Sequence, residues 1–384
     1  MGNPKRLAVF LDGTWNTLGD NTNVWRLKSL CDPDDPLQLV YYSSGVGTQL
    51  GEKIRGGLLG YGLDHEITDA YEWLIDHFND GDQLYIFGFS RGAYTARSLS
   101  GFISKCGLLR PGSPLSVSQL YGRYRRRTDK TIRDLVVSGG ANQALGLEEQ
   151  WVLRYSKPIN IEFVGVWDTV GSLGIPVGKK RNIEKYRFLE THLRLSNVNA
   201  YQALAVDEHR ASFAPTLWTR TDVIGSSNPA PARPLANVEQ RWFVGAHANV
   251  GGGYASDLLA QIPLKWLMTK AQAHGLKFRA DVDVEGDNAL PPITDSYAGF
   301  LGGIYRRFSS PYYRPIGAAA QTGTGATTST INETVDKSVF DRWQADTSYR
   351  PQNLQEWAKR VGADPSGITQ SVLAADPKVV APVA

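Results

Sequence analysis

Short apolar runs alternate with stretches of helical periodicity along the first 275 residues. Apolar, aromatic and β-branched residues dominate five runs of strand length: Leu7–Leu11, Gln38–Tyr42, Gln83–Phe87, Ile159–Trp167 and Gln240–Gly245. Between the second and third runs, from Asp64 to Asn79, apolar residues recur every three or four positions, which predicts an amphipathic helix. Strands that alternate with helices in this way predict an α/β fold, with a mostly parallel sheet and right-handed crossovers.

The third run leads directly into the pattern G-x-S-x-G, formed by Gly88, Ser90 and Gly92, and helix-forming residues follow from Ala93. A strand, a sharp turn and a helix around such a serine are typical of a nucleophile elbow, because bulkier neighbours would collide with the strand and the helix. The turn holds the serine Oγ above the sheet edge, and the helix N-terminus beneath it favours developing negative charge. Ser90 is therefore the candidate nucleophile.

A serine of this kind needs a carboxylate and a histidine later in the chain, in that order. Asp168 comes at the end of the fourth run and His247 directly after the fifth, so the pair fits a base that takes the serine proton and an acid that orients it. The alternatives are a loop cap for Asp168 and a buried structural role for His247. Asp207 and Asp257 remain alternative acids. His209 is the rival histidine, although its polar neighbours favour an ion-pair network or a polar brace beneath the site.

The oxyanion of an ester hydrolase needs backbone N–H donors, one of them from the residue after the nucleophile, here Arg91. A second donor is expected after the first strand, from Gly13 or Thr14, while Asp12 is interpreted as a loop organiser. A strand ending in Asp-Gly-Thr also occurs in phosphatases of the haloacid dehalogenase class. That class needs a further Asp at the position of Phe10, so this interpretation is set aside.

Five motifs occur in order: Phe10–Asn16, Gly45–Thr48, Gly88–Ala93, Val166–Ser172 and Gly245–Tyr254. Together they resemble the α/β-hydrolase family that includes the type VI secretion phospholipase effectors, in the G-x-S-x-G class, over residues 5–270. The resemblance implies an α/β-hydrolase fold and a Ser–Asp–His site carried onto Ser90, Asp168 and His247. It also implies ester hydrolysis, with phospholipids as the substrate of the best-known members. Family analogy alone implies a secretion adaptor or an immunity protein as partner.

Composition changes this picture little. The chain has 384 residues, 42% of them hydrophobic, which is enough material for a large core. Its net charge of +3 gives no argument for a nucleic-acid partner. The two cysteines, Cys31 and Cys106, predict no disulfide framework, and the sequence has no Cys/His cluster typical of a metal site. We therefore expect neither a metal nor another cofactor.

The N-terminus lacks the features of a signal peptide, because only Leu7–Leu11 separates Lys5 and Arg6 from Asp12. The myristoylation pattern is missing as well, since it needs Ser or Thr where Arg6 stands. No apolar run approaches the roughly 18 residues of a membrane span. We expect a soluble protein made in the cytoplasm, whose export would require a machine that ignores signal peptides.

The expected organisation is a catalytic domain over residues 1–275 and a C-terminal extension over 276–384. Residues 107–158 break the strand–helix pattern and predict a mostly helical lid. Residues 318–330 form a low-complexity link, and the last dozen residues are expected to be poorly ordered. A basic and aromatic cluster in the insertion, Tyr121–Arg127 with Lys130 and Arg133, fits peripheral contact with anionic lipid, but a solvated helix face is slightly favoured.

These observations predict a serine hydrolase that cleaves carboxylic esters, of phospholipids or other lipids by preference, through an acyl-enzyme. Two alternatives remain: an esterase for small esters, and a non-catalytic binding protein that keeps the same fold. Reaction of Ser90 with a serine-directed phosphonate discriminates the catalytic interpretations from the binding protein.

Overall fold

The structure is a computed structural model, and it describes residues 3–13, 21–45, 58–126, 128–140, 144–171, 193–194, 196–221, 233–254, 258–284, 291–299, 303, 305–318, 320–321 and 327–382. Thr14 and Asp257, two of the predicted site residues, lie outside these ranges. Within them an eight-stranded sheet runs through the molecule with helices on its faces, as predicted for an α/β fold.

Strands are numbered in chain order. The central sheet consists of β1 (Arg6–Leu11), β2 (Gln38–Ser43), β3 (Gln83–Phe89), β6 (Ile161–Trp167), β7 (Asn197–Ala205), β9 (Val238–Phe243), β12 (Glu333–Val335) and β13 (Val372–Leu373). Two smaller sheets contain the remaining described strands: β4 (Leu108–Leu109) with β5 (Ser156–Lys157), and β10 (Ala320–Gln321) with β11 (Thr327–Thr330) and β8 (Thr219–Thr221).

The described helices are α1 (Asn23–Leu30), α2 (Leu58–His77), α3 (Arg91–Cys106), α4 (Val117–Arg125), α5 (Ile132–Gly140), α6 (Leu147–Tyr155), α7 (His247–Gly251), α8 (Gln261–Ala273), α9 (Ser296–Gly299), α10 (Lys337–Ala345) and α11 (Gln352–Val361). Short 3₁₀ turns occur at Ala211–Phe213, Tyr305–Arg307 and Pro365–Gly367. None of the helices in the described ranges is long and apolar enough to span a bilayer.

The strands lie in the order β2-β1-β3-β6-β7-β9-β12-β13, and all neighbours are parallel except β13, which is antiparallel to β12. Both faces of the sheet are covered, so alternate residues of one strand enter different cores. On β1, Leu7 and Val9 belong to the core beneath α2 and α3, whereas Ala8 and Phe10 belong to the core beneath α1 and α8. This explains why the central strands read as continuous apolar runs.

The chain reverses its direction of travel across the sheet between β1 and β3. It moves from β1 outward to β2 and then returns to place β3 on the other side of β1. The carboxyl ends of β1 and β3 therefore flank a crevice that no crossover connection covers, which is where open α/β sheets bind ligands. Ser90 follows β3 directly and Asp12 follows β1 directly, so both lie at this point.

The insertion that the sequence predicts to be a lid begins and ends at the amino edge of the sheet. Helix α3 begins next to Ser90 and runs for 16 residues, about 24 Å, before the insertion starts. The insertion then contacts residues that precede strands: Lys157 forms an ion pair of 2.6 Å with Asp80, and Arg133 donates a hydrogen bond of 2.8 Å to Asn160. Helix α4 packs along α2 and α3, where the Tyr121 hydroxyl donates to Asp64 at 2.7 Å. Apolar periodicity predicted the helices of the insertion, and its role as a lid stays a prediction.

The aromatic residues of the cluster in the insertion are internal, whereas its described basic residues other than Arg123 are exposed. Tyr121 and Tyr124 are buried against Phe102 of α3, with ring centroids 5.4 and 5.3 Å away. Arg126 remains half-exposed, and its guanidinium pairs with Asp129 at 2.7 Å and with Glu148 at 2.5 Å. The aromatic residues therefore serve the core, while Arg123 and Arg126 are engaged by acids of the insertion itself.

The C-terminal extension contributes β12 and β13 to the same central sheet. A third core forms between these strands, α10 and α11, and it joins Phe340 and Trp357 of the extension to Leu204 and Trp242 of the preceding strands. The tail differs from the expectation of poor order, because the backbone N–H of Ala381 donates to the carbonyl of Ser371 at 3.1 Å. The core contacts tie the described part of the extension to the first 275 residues.

Candidate active site

Ser90 occupies a sharp turn between β3 and α3. Its backbone has φ 58° and ψ −121°, and its N–H donates to the carbonyl of Trp167 at 3.0 Å. The glycines of the motif are needed for close approach: a Cβ on Gly88 would lie 2.4 Å from the carbonyl oxygen of Gly92, and one on Gly92 would lie 2.2 Å from that of Leu11. The turn therefore brings the end of β1, the serine and the start of α3 together.

A continuous line of hydrogen bonds joins the three side chains that the sequence singles out. The Ser90 Oγ lies 2.8 Å from His247 Nε2, and His247 Nδ1 lies 2.5 Å from Asp168 Oδ2. With its proton on Nδ1, the imidazole donates to the carboxylate and accepts from the serine hydroxyl. The strands β3, β6 and β9 end at the same edge of the sheet and so deliver these groups to one place.

His247 is the first residue of α7 and is buried, with 6% of its surface exposed. Two aromatic rings hold its imidazole in place, Phe89 at 4.7 Å and Phe213 at 5.0 Å between ring centroids. Its backbone N–H donates to Oε2 of Glu208 at 3.3 Å. The ring is therefore restrained on both sides, and its Nε2 faces Ser90.

Asp168 is fully buried and adopts a positive φ of 39° at the end of β6. Its Oδ1 accepts from the backbone N–H of Ala205 at 3.1 Å and from Nη1 of Arg314 at 2.7 Å. Its Oδ2 accepts from Nη2 of Arg314 at 3.0 Å, besides the bond from His247. Burial opposes the ionised form, but the Arg314 charge and then the His247 hydrogen bond hold the pKa of this carboxyl below its ordinary value.

Arg314 was not predicted from the sequence. It lies in the C-terminal extension between Tyr313 and Pro315, and no motif or periodicity there singles it out. Its pairing residue, Asp168, was predicted for a different contact. A single sequence carries no signal for an arginine that pairs with a buried carboxylate, because the two residues lie 146 positions apart.

A second buried ion pair lies beside His247. Arg210 binds both carboxylate oxygens of Glu208, at 2.8 and 2.9 Å, and the hydroxyl of Ser296 donates to the same carboxylate at 2.8 Å. Burial raises the pKa of the Glu208 carboxyl, yet the hydrogen bond and the charge of Arg210 lower it to about 2. The ion-pair network that the sequence favoured for this polar cluster is thus made by Glu208 and Arg210.

The two alternative residues that the structure describes, Asp207 and His209, have other partners than the imidazole of His247. Asp207 accepts from the backbone N–H of Gly245 at 2.7 Å and from the Tyr349 hydroxyl at 3.1 Å, and burial raises the pKa of its carboxyl. His209 Nδ1 lies 3.4 Å from the carbonyl of Tyr312. Asp257 lies outside the described residues. Asp168 is therefore the described carboxylate that meets His247 Nδ1.

The loop after β1 is organised by Asp12, as the sequence suggested. Its carboxylate accepts from the backbone N–H of Gly13 at 2.7 Å, the hydroxyl of Thr22 at 2.5 Å and that of Tyr42 at 3.1 Å. The Gly13 amide is thus bonded to Asp12 in this state. Arg91, the other predicted donor, begins α3, and burial lowers the pKa of its guanidinium to about 10.

Among the described residues, no group of three or more His, Cys, Asp or Glu side chains could hold a metal ion. The chemistry available at this site consists of a hydroxyl, an imidazole and an ionised carboxylate in line, next to the N-terminus of a 16-residue helix. Such an arrangement can move a proton from the hydroxyl as its oxygen attacks an electrophile.

Comparisons with known proteins match this part of the chain. Residues 5–270 match the profile of the catalytic domain of Tle1-like phospholipase effectors of the type VI secretion system. An uncharacterised protein of Saccharomyces cerevisiae is 28% identical over 243 residues, which are 56% of this chain and 33% of that protein. The chain thus spans about a third of the length of this curated relative.

Two solved structures are similar at lower identity. The crystal structure of an uncharacterised Pseudomonas aeruginosa protein is 20% identical, with a TM-score of 0.44, over 72% of this chain and 47% of that one. The structure of the Tle1 effector bound to the VgrG spike of the type VI secretion system is 19% identical, with a TM-score of 0.35, over 66% of this chain and 52% of that one.

Proposed function

Because the chain belongs to the family of Tle1-like phospholipase effector catalytic domains, we propose that it is a serine hydrolase that cleaves the carboxylic esters of phospholipids. The observation that carries the proposal is the hydrogen-bonded line from Ser90 Oγ through His247 to Asp168, with separations of 2.8 and 2.5 Å. Ser90 is the nucleophile, His247 the general base and Asp168 the acid that orients the imidazole.

In the first half of the reaction, Ser90 Oγ attacks the ester carbonyl carbon while His247 Nε2 takes the hydroxyl proton. The new bond between Oγ and carbon makes a tetrahedral oxyanion. When this intermediate collapses, the ester C–O bond breaks and His247 returns the proton to the departing alcohol. The fatty acid then remains on Ser90 as an acyl-enzyme.

In the second half, a water molecule replaces the alcohol. His247 Nε2 takes a proton from the water as its oxygen attacks the acyl carbon, and it gives that proton back to Ser90 Oγ when the bond to the serine breaks. The products are a free fatty acid and the restored hydroxyl. Throughout, the ionised Asp168 keeps the Nδ1 proton in place and stabilises the imidazolium that forms twice.

The oxyanion needs donors at the same point. The backbone N–H of Arg91 stands at the start of α3, where the helix dipole also favours negative charge. Gly13 can serve as the second donor only if its amide leaves the Asp12 carboxylate, to which it donates at 2.7 Å. We therefore propose that Arg91 acts together with the loop after β1, in which Gly13 and Thr14 are the candidate donors.

Substrate binding and delivery form further parts of the proposal, and both rest on family membership. The lipid surface is expected to meet the carboxyl edge of the sheet, where Ser90 lies. We also propose that the protein is exported by a type VI secretion system with the help of an adaptor, and that an immunity protein opposes it. Retention of the protein on an immobilised VgrG-type spike protein tests the proposed export by this secretion system.

Ser90→Ala is expected to abolish ester hydrolysis and to leave the fold intact, because alanine suits the same backbone as serine. The loss should be on the order of 10³-fold or more, since the covalent step disappears. The measurement is fatty-acid release from mixed phospholipid vesicles, alongside hydrolysis of a short-chain nitrophenyl ester. Ser98→Ala is the matched control, because this serine lies in α3, the helix that Ser90 precedes, and its hydroxyl donates to the Tyr94 carbonyl at 2.8 Å.

The outcomes separate the alternatives. Release from vesicles that disappears in Ser90→Ala and persists in Ser98→Ala supports a phospholipase. Serine-dependent activity on the nitrophenyl ester alone indicates an esterase for small esters. Equal activity in Ser90→Ala and the parent protein, or no activity in either, contradicts the proposed role of Ser90 and favours the non-catalytic binding protein.

A further inference from the structure

Arg314 lies on the Asp168 carboxylate although it belongs to a distant part of the chain. Its two terminal nitrogens donate to the two carboxylate oxygens, Nη1 to Oδ1 at 2.7 Å and Nη2 to Oδ2 at 3.0 Å. Both side chains are fully buried. The family match ends at residue 270, so this cation comes from outside the segment that carries the motifs.

The guanidinium itself is fixed by the backbone around it. Nη1 also donates to the carbonyl of Ala205 at 2.9 Å, and Nη2 donates to that of Phe213 at 2.6 Å. Ala205 is the last residue of β7, and the ring of Phe213 packs against His247. Four bonds from one planar group therefore set the plane of the carboxylate relative to the imidazole, which a fork of parallel N–H donors does better than a single ammonium.

We infer that Arg314 is a positioning residue of the proposed hydrolase: it orients Asp168 toward His247 and offsets the carboxylate charge that His247 faces. The inference rests on the proposed function. It assigns to the C-terminal extension a direct part in the site, beyond completing the sheet. The buried acid is here held by a full positive charge as well as by hydrogen bonds.

Among the described residues, the charged and titratable groups that face His247 come from several elements. Asp168 follows β6, Glu208 follows β7 with its partner Arg210, and Arg314 comes from the extension. Ser90 faces the ring from α3, and the rings of Phe89 and Phe213 complete its surroundings. Each carboxylate has its own arginine. Removing the charge of Arg314 therefore leaves the Asp168 carboxylate, which contacts the imidazole, without a counter-charge. The Asp168–His247 pair should then hold its proton more tightly.

The test compares Arg314→Gln, Arg314→Lys and the parent chain by the rate at which a serine-directed phosphonate labels Ser90 between pH 4 and pH 9. In Arg314→Gln the acid limb of the profile should move up by about one pH unit, and the rate at the plateau should fall by less than the roughly 10⁴-fold that loss of the carboxylate costs. In Arg314→Lys the limb should stay in place, because the charge is kept, while the plateau falls.

Arg241→Gln is the matched control. Arg241 is also a buried arginine on carboxylates, with Glu239 at 2.7 Å and Asp336 at 3.3 Å, but these lie away from Ser90. It should lose stability and keep the parent acid limb. An unmoved limb in Arg314→Gln, with loss at the plateau alone, overturns the inference and leaves Arg314 a purely structural role.

If Arg314→Gln does not fold, Arg314→Lys decides. A lysine replaces the parallel pair of contacts by a single donor, so the maximal labelling rate should fall while the phosphonate concentration for half-maximal rate stays constant. A constant maximal rate with a changed phosphonate concentration for half-maximal rate overturns the inference. Failure of the proposed function gives a different result, because a parent chain that is not labelled at Ser90 shows no profile in any variant.

Discussion

Ser90 and Asp168 both adopt a positive φ, which residues other than glycine usually avoid. Among the described residues, four that are not glycine have positive φ, and the other two are Asn21 and Asn332. Asparagine and aspartate tolerate this region because their short polar side chains bond locally, whereas a serine there costs about 1–3 kcal/mol. The strain at Ser90 is held by its N–H bond to Trp167 and by the close approach of Gly92 to β1. The strain and the proposed nucleophile therefore coincide.

Asp168→Asn is expected to lower the labelling and hydrolysis rates by about 10³- to 10⁴-fold, because the amide no longer fixes the imidazole tautomer. Asp207→Asn is the matched control, since Asp207 is equally buried but bonds to Gly245 and Tyr349 instead of the imidazole. It should change the rate at most severalfold. The measurement is the rate of a short ester under saturation, with unfolding curves for both variants. A larger loss in Asp207→Asn than in Asp168→Asn would reverse the assignment of the acid.

The sequence indicated the three side chains of the hydrogen-bonded line but not their supports. Ser90 and Asp168 follow β3 and β6 directly and His247 comes shortly after β9, and strand ends are readable from hydrophobic runs. Arg314 pairs with Asp168, 146 positions away, and Glu208 accepts from His247, 39 positions away; a single sequence carries no pattern for such contacts. Their buried charges also run against hydropathy, which predicts charged residues at the surface. The structure was needed to pair them.

At the scale of elements, the turn between β3 and α3 depends on a close approach to β1. A Cβ on Gly92 would lie 2.2 Å from the carbonyl oxygen of Leu11 and 2.4 Å from that of Asp12. Backbone atoms cannot yield as a flexible side chain would. The loop that carries Asp12 and Gly13 is therefore positioned by the same contact that positions the serine.

Gly92→Ala is expected to destabilise the protein by about 1–3 kcal/mol or more, because the added methyl group pushes α3 away from β1. It should also reduce labelling of Ser90 in the fraction that remains folded. Gly122→Ala is the control: this glycine lies within α4, and its added Cβ meets no atom within 4 Å. That variant should be stabilised by about 0.5–1 kcal/mol through helix propensity. Urea unfolding of both variants checks the pair, and equal stabilities would refute the packing argument.

The strands that hydropathy predicted are those with buried apolar residues on both faces, such as β1, β3 and β6. The prediction missed β7, because Asn199 and Gln202 in it are polar although they are buried. Gln202 donates to Gln240 of β9 at 3.1 Å, so side chains meet each other's hydrogen-bonding needs inside the sheet. It also missed β12, which is three residues long and begins with the buried Glu333.

At the scale of the whole molecule, the expected division at residue 275 does not separate two sets of contacts. Removal of the later segment exposes Trp242 and Leu204, whose core partners lie beyond that point, and leaves β9 as an open sheet edge. It also removes Arg314 from the buried Asp168. Loss of one partner of a buried ion pair costs about 3–5 kcal/mol, a large part of the stability of an ordinary domain.

A chain ending at residue 275 is therefore expected to show no cooperative unfolding transition and no labelling of Ser90. Supplying residues 276–384 as a separate chain should restore part of both, since the contacts are non-covalent. Circular dichroism and phosphonate labelling measure the two properties. A shortened chain that unfolds cooperatively and is labelled at the parent rate would contradict the inference that the extension belongs to the site.

The position of Arg314 also bears on the timing of synthesis. A ribosome releases Ser90, Asp168 and His247 well before it releases the arginine that meets Asp168 and the two strands that close the sheet. On the proposed function, an unfinished chain would hold its carboxylate without a counter-charge and could not hydrolyse lipid at full rate. The producing cell is then exposed to the activity only after the chain up to β13 has left the ribosome, and by that moment the surface that these strands and Arg314 complete is available to a binding partner as well.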